Sequence, residues 1–387
     1  MFPRSETFAM FDLIVVGAGP AGSATARRAG QMGLDTLVLE KEHFPRYKPC
    51  GGGLSERAIS YLDFKLPGTV CEKDITGARI LYGPRVLERH KPYRLATTVT
   101  RSILDEYLLS KAEETGIKVK TGKKVTGYDE KDGGVEVRAG EDTYRSRYLV
   151  ISSGSQDRLK QAIRERDRKD QYGLCLVTEV PEDDRVIDQE MGDSLTIHFG
   201  VVPMGYGWVF PHRGYYSVGV GGLARDITGL KKTMTDFLKA NGFRKNYRLH
   251  GHVIPFGGLG RPLAGTRTLL AGDSAGFVDC FTGEGISYAI RSGQIAAEVV
   301  SEKLSNPGMD MGKSYTSWCR ADFGDDLGYA IMLAKLMHSK PGFFFNILAG
   351  QSDFVDSFLD TVAMKRSYKS CLTWLVPRLP WYLLNLH

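Results

Sequence analysis

Residues 11–16 form a mostly apolar run of strand length, interrupted only by Asp12, and the chain then turns through glycines at 17, 19 and 22. Small residues continue to about position 32 in a pattern that suits a tightly packed helix, and 35–39 reads as a second apolar strand ending at Glu40. From 119 to 151 the texture changes to short alternating runs broken by DGG and GED, which predicts a β-meander. Runs at 195–200, 206–211 and 215–222 predict neighbouring antiparallel strands, and 268–271 another short strand. Between 284 and 304, Ile286, Ala289, Ile290, Ala296, Ala297, Val300 and Leu304 recur at helical spacing. Past Pro307 the chain turns helical, then strongly apolar in PGFFFNILAG (341–350) and CLTWLVPRLPWYLLNLH (371–387).

The opening strand–turn–helix–strand unit carries Gly17-Ala18-Gly19-Pro20-Ala21-Gly22 at its turn. Gly17 permits the tight turn, Gly19 lets backbone approach a pyrophosphate, and Gly22 allows close helix packing. The helix N-terminus offers free N–H groups and a positive dipole end to phosphates. Glu40 stands 18 positions after Gly22, where a carboxylate reaches ribose hydroxyls. Strand, helix, second strand and acidic end together predict a dinucleotide site.

Composition narrows the partners. The 387 residues carry a net charge of +6, a mild excess that suits an anionic ligand or lipid surface, without the basic and aromatic stripe of a nucleic-acid binder. Cys50, Cys71, Cys175, Cys280, Cys319 and Cys371 are scattered, with no C-x-x-C pair, which argues against a metal, an iron–sulfur cluster or a disulfide framework and favours a reducing cytoplasm. No separate signal-peptide core and no run of about 18 apolar residues is expected to anchor the chain.

Far downstream, Gly272-Asp273 follows a short strand and precedes the long helix. That block resembles the second FAD motif of glutathione-reductase-type flavoproteins. The resemblance implies an aspartate on the ribitol and a helix N-terminus aimed at the flavin's pyrimidine edge. Arg101 opens a helix where that fold sets an arginine near the cofactor; the alternative is a residue facing solvent. Residues 151–154 (ISSG) look like a degraded third FAD motif lacking its aspartate. No second GxGxxG follows a strand, so no separate NAD(P)H domain is expected.

GAGPAG, KPCGGGLS, PMGYGWVFP and GDSAGFVDCFTGEG, in this order, resemble the geranylgeranyl reductase family of FAD enzymes, over roughly residues 11–306. Members saturate isolated double bonds in polyprenyl chains of archaeal lipids, chlorophyll side chains or quinone tails. The resemblance implies an α/β fold: a Rossmann-type FAD-binding domain (1–76, 97–170 and 266–306), an inserted antiparallel β-sheet substrate domain (77–96 and 171–265) and a helical C-terminal region (307–387). It implies FAD contacts from Gly17, Ala18, Gly19, Pro20, Ala21, Gly22, Glu40, Lys41, Cys50, Gly51, Gly52, Arg101, Val125, Gly272, Asp273, Gly283, Glu284, Gly285 and Ile286. Cys50, Tyr206, Trp208 and Phe210 would face the polyprenyl substrate, and ferredoxin or NADPH would supply electrons. Where relatives often carry proline before the long helix, this chain reads Cys280-Phe281-Thr282.

An unactivated alkene is a poor hydride acceptor unless a proton arrives in step. Cys50, between Pro49 and three glycines, is expected to relay the proton or to order the water that does, its own proton kept by an apolar pocket; the alternative is a small buried hydrophobe. Tyr206, Trp208 and Phe210 alternate, so a strand sets them on one face, either as a sheet's core or as a cavity wall able to soften positive charge by ~0.5–2 kcal/mol each. Arg46 and Lys48 read as solvated surface charges, the alternative being that they neutralise flavin or lipid phosphates. Trp374, Trp381 and Tyr382 around Arg378 suit peripheral membrane contact, against a tail docked on the protein's own core. A flavin monooxygenase is the rival class on the same fold.

Overall fold

The computed structural model describes residues 10–363, 365–378 and 380. Its first sheet runs in the order Lys118–Lys120, Thr36–Leu39, Phe11–Val16, Asp142–Ile151, Gly134–Ala139 and Val125–Lys131, with Thr268–Leu270 paired to Asp142–Ile151. The ten-residue strand Asp142–Ile151 serves two purposes. Its first half closes the antiparallel meander, while residues 146–151 lie parallel to Phe11–Val16. The parallel strands are buried on both faces: Leu13, Ile14, Val15, Leu37, Val38, Leu149 and Val150 are all fully inaccessible. That is why they read as continuous apolar runs rather than alternating ones.

Helices Pro20–Gln31 and Ile286–Ser305 pack against each other over this sheet. Glycine makes the contact possible: a Cβ at Gly293 would stand 2.3 Å from the Ala21 carbonyl oxygen. A Cβ at Gly22 would stand 1.8 Å from the Gly17 carbonyl oxygen, so the first turn of the helix sits directly on the glycine turn.

The second sheet has seven strands in the order His250–Pro255, Tyr172–Pro181, Tyr215–Leu223, Gly205–Pro211, Ser194–Phe199, Gly77–Tyr82 and Arg85–His90. The three strands expected at 195–200, 206–211 and 215–222 are its centre, each within about a residue of the expected bounds. A third, small sheet joins Gly53–Ser55, Ala96–Thr98 and Lys73–Ile75. The expected long helix begins at Ile286 rather than 284, because residues 279–285 form a separate turn.

C-terminal helices Met311–Cys319, Asp325–Ser339, Pro341–Gly350, Ser352–Val362 and Tyr368–Leu375 complete the described chain. They bury Phe344, Phe345, Phe354, Phe358, Tyr368 and Leu372 against Ala78, Ile80 and Phe281. The tail through Leu375 is therefore docked on the protein, and Trp374 is half-buried under Arg366 and Arg378. Trp381 and Tyr382 lie outside the described residues. No helix of the described residues is long and apolar enough to cross a membrane.

Candidate functional site

A cavity of about 600 Å³ runs between the first two sheets. One end is the glycine turn. Gly17, Gly19, Pro20 and Ala21 line it, with Glu40, Lys41 and residues 152–156. The Glu40 carboxylate is buried and accepts the Ala18 N–H at 2.7 Å and the Glu42 N–H at 3.0 Å, so its oxygens are fixed beside the turn. Ser152 donates to the carbonyls of Val16 and Gly17 and ties the degraded third motif to the first. The open Cα side of Gly19, the free helix end and the fixed carboxylate fit a dinucleotide.

Arg46 and Lys48 are not surface charges. The Arg46 guanidinium stands 3.6 Å from where a Gly19 Cβ would be and pairs with fully buried Asp105 at 3.0 Å. Arg101, expected either at the cofactor or in solvent, also lines the cavity and grips Asp105 through two bonds of 2.8 and 2.9 Å. Lys48 Nζ lies 3.0–3.2 Å from the ring nitrogens of His252, which in turn is 3.5 Å from Asp273. Burial pushes Lys48 and His252 down. Burial alone would push the Asp273 carboxyl up, but His252 and Lys48 outweigh it and hold it below the ordinary range. Positive side chains thus line the half of the cavity that would receive the phosphates and flavin of FAD.

Cys50 lines the cavity too. Its surroundings differ from the apolar pocket expected for it. The Gly52 N–H points at Sγ from 3.4 Å, and the Arg101 guanidinium is a second polar partner of the thiol. The loop is pressed against the aromatic strand: a Cβ on Gly51 would stand 3.2 Å from Trp208 Nε1 and from the Phe210 ring. Tyr206, Trp208 and Phe210 all line the cavity beside Cys50. Trp208 Nε1 donates to Ser217 Oγ at 3.4 Å, and the Tyr206 hydroxyl donates to the Thr282 carbonyl.

Gly283, Glu284, Gly285 and Ile286 form the opposite wall with Asp273. Burial raises the Glu284 carboxyl, which accepts the Ser287 N–H at 2.8 Å and so caps the first turn of the long helix from just ahead of it. Ala18, Gly22, Val125 and Gly272 do not line the cavity. Ala18 acts through its N–H to Glu40, Gly22 and Gly272 shape the backbone behind the turn, and Val125 sits in the core of the first sheet.

Sequence reasoning missed the far end. Leu195, Ile197 and Phe199 extend the aromatic wall, and Phe358, Leu359 and Val362 close it from a C-terminal helix. The alternation in LTIHF carried the first group's signal. The second carried none, being 150 residues away with ordinary helical spacing. His252 and the His212–Glu72 pair were also missed.

His212 is buried beneath the cysteine loop. Its Nδ1 lies 2.7 Å from Glu72 and its Nε2 3.1 Å from the Gly51 carbonyl, while its ring stacks on Tyr215 at 4.5 Å. Burial opposes the charge on Glu72, but His212 and Thr100 outweigh it, so the carboxyl is held below its ordinary value of 4.5. A depressed carboxyl stabilises the fold above that value and ceases to as pH falls through it. Glu72→Gln should therefore melt below wild type at pH 7, with about 1.5–3 kcal/mol lost on the scale of a charged hydrogen bond. The gap should narrow below about pH 4.5, which thermal melts from pH 3.5 to 7 would show.

The model of the pyridine nucleotide-disulphide oxidoreductase family matches residues 11–198. An uncharacterized protein of Methanosarcina barkeri is 32% identical over 300 residues, 76% of each chain. The menaquinone reductase of Mycobacterium tuberculosis is 30% identical over 349 residues, 84% of each. The chloroplastic geranylgeranyl diphosphate reductase of Nicotiana tabacum is 29% identical over 324 residues, 77% of this chain and 67% of that protein. A crystal structure of a geranylgeranyl bacteriochlorophyll reductase-like protein from Thermoplasma acidophilum superposes with a TM-score of 0.79 at 23% identity, over 97% of this chain and 98% of that one. With the glycine turn, the cysteine loop and the aromatic strand meeting at one cavity, these likenesses mean that the chain belongs to the geranylgeranyl reductase family of FAD-dependent oxidoreductases.

Proposed function

We propose that the protein hydrogenates isolated C=C bonds of geranylgeranyl chains, with archaeal-type membrane glycerolipids as its substrates. The observation that carries this reading is the shape and lining of one cavity. It begins at a dinucleotide turn, passes a thiol, and ends among Ala78, Ile80, Leu195, Ile197, Phe199 and Leu359. An apolar end of that kind binds a hydrocarbon by removing its surface from water, worth about 0.8 kcal/mol per methylene.

Bound FAD supplies the electron pair. The chain's own residues do the rest. Gly17, Gly19, Pro20, Ala21 and Arg46 would hold the phosphates, Glu40 the ribose, and Asp273 with residues 283–286 would border the isoalloxazine. Cys50 faces the alkene with its proton, and Tyr206, Trp208 and Phe210 exclude water and hold the chain. The net charge of +6 suits a phosphate-bearing lipid. A transiently docked donor, reduced ferredoxin or NADPH, fits a chain whose sequence offers no second dinucleotide turn.

The menaquinone reductase relatives favour a second substrate, a quinone's prenyl tail. One assay separates the two: reduce the FAD-loaded protein with dithionite under argon and offer digeranylgeranylglyceryl phosphate, geranylgeranyl diphosphate or menaquinone in detergent. Mass gains of two hydrogens on the glycerolipid at the highest kcat/KM support this reading. No mass gain on any of the three rejects it, as does oxygen uptake coupled to hydroxylation when the pre-reduced protein is instead mixed with lipid in air.

A further inference from the structure

Residues 279–285, which connect the Gly272-Asp273 turn to the long helix, are held by an arrangement that the reaction as outlined does not use. Asp279 is fully buried, and no ion pair reaches it among the described residues. One carboxylate oxygen accepts the N–H groups of Phe281 at 2.7 Å and Thr282 at 3.1 Å. The other accepts the hydroxyl of Tyr368, 89 residues later, at 2.5 Å. The backbone closes on itself, Asp279 N–H to the Glu284 carbonyl and Gly283 N–H to the Asp279 carbonyl, both at 2.9 Å. Tyr206 donates to the Thr282 carbonyl from the aromatic strand.

Tyr368 is itself fully buried. Phe281 meets it edge-on at 6.3 Å and meets Phe358, on the cavity wall, edge-on at 5.7 Å. The C-terminal helices are therefore fastened to the turn at one polar point, inside an otherwise apolar contact. A buried carboxylate with three donors costs far less than one left short, so each donor carries weight.

From this geometry we propose that Tyr368 and Asp279 are positioning residues for the turn that faces the flavin, so that the C-terminal helices set the electron affinity of bound FAD. The proposal rests on the reading that residues 283–286 border the isoalloxazine. Burial already raises the Asp279 carboxyl. Without the Tyr368 hydroxyl it takes a proton more readily, and losing a negative charge just behind the turn that borders the flavin favours the added electrons.

Tyr368→Phe removes only the hydroxyl and keeps the ring contacts. In the full-length FAD-loaded protein, dye equilibration should show the oxidised-to-reduced ratio shifted about tenfold towards reduced, near 30 mV for a two-electron couple. With digeranylgeranylglyceryl phosphate, kcat should change while KM stays within about twofold, the pattern of a group that touches no substrate. A lowered melting temperature with an unchanged potential and full FAD content overturns the proposal. Should that variant not fold, Asp279→Asn removes the same charge and must move the potential in the same direction, an unmoved potential again being fatal. The potential needs no alkene. If wild type reduces no prenyl lipid, the functional reading fails while the dye titration still decides this one.

Discussion

Cys50→Ala should lower the rate of alkene reduction by about 10²–10⁴-fold, the range contributed by a positioned proton donor, while FAD stays bound. The reasoning starts from the substrate. An isolated trisubstituted alkene has no group to hold negative charge, so hydride delivery proceeds only if a proton reaches the other carbon in the same step. Among the residues lining the cavity beside the aromatic wall, the thiol of Cys50 stands where chain and cofactor segments meet. The Gly52 N–H donates towards its sulfur, and the Arg101 guanidinium brings a positive charge beside it. Those contacts would hold the negative charge left on sulfur when the proton departs, which an apolar pocket would not do.

The variant leaves the loop's geometry in place. Gly52 keeps its left-handed backbone, and the bond from His212 to the Gly51 carbonyl does not involve the side chain. The measurement is single-turnover oxidation of pre-reduced protein on mixing with lipid, followed by loss of the reduced-flavin spectrum. A rate within threefold of wild type at full FAD occupancy removes Cys50 from the chemistry and returns it to packing. Cys50→Ser should recover only part of the rate, because a hydroxyl can donate but is a weaker acid than a thiol and leaves a stronger base behind.

How far the sequence could be read depended on whether a signal was local. Residues 11–40 were legible because a βαβ unit states its strand, turn, helix and acidic end within 30 positions, and each has a distinct composition. The aromatic strand was legible by period two, though its side-chain partners were not. Nothing in YGWVFP says that Gly51 lies against Trp208 and Phe210 at van der Waals distance. Arg46 and Lys48 were misread for the same reason. In a loop beside prolines and a tyrosine they look solvated, and only the folded chain brings Asp105 and His252 to meet them. The C-terminal helices were the hardest. Their apolar faces predict burial somewhere, but Phe358, Leu359 and Tyr368 reach the site through contacts spanning about 80 residues and more. Local pattern carries local structure, whereas a cavity wall is a property of which elements tertiary packing brings together.

Asp105→Asn should be the most damaging single change to stability, by about 3–5 kcal/mol, because it leaves two buried guanidiniums without their shared partner. Asp105 is fully buried on helix Arg101–Glu113 and holds both Arg101, one turn earlier, and Arg46, from the cysteine-loop side. Such a cluster is poor evidence for stability as a whole, since three apolar residues of similar volume can do as well. Its use here is placement. Both guanidiniums line the cavity, Arg46 over Gly19 and Arg101 beside Cys50. The triple variant Arg46→Met, Arg101→Met, Asp105→Leu should therefore recover the melting temperature lost by Asp105→Asn and yet bind FAD at least about tenfold more weakly. FAD brings two phosphate charges, and these would partly replace the missing carboxylate. The loss in Asp105→Asn should accordingly be larger for apo-protein than for protein saturated with FAD, by melts of the two forms side by side. Equal losses in both forms would place the arginines away from the phosphates, and a wild-type FAD affinity in the triple variant would show that the cluster only fastens the loop to the helix.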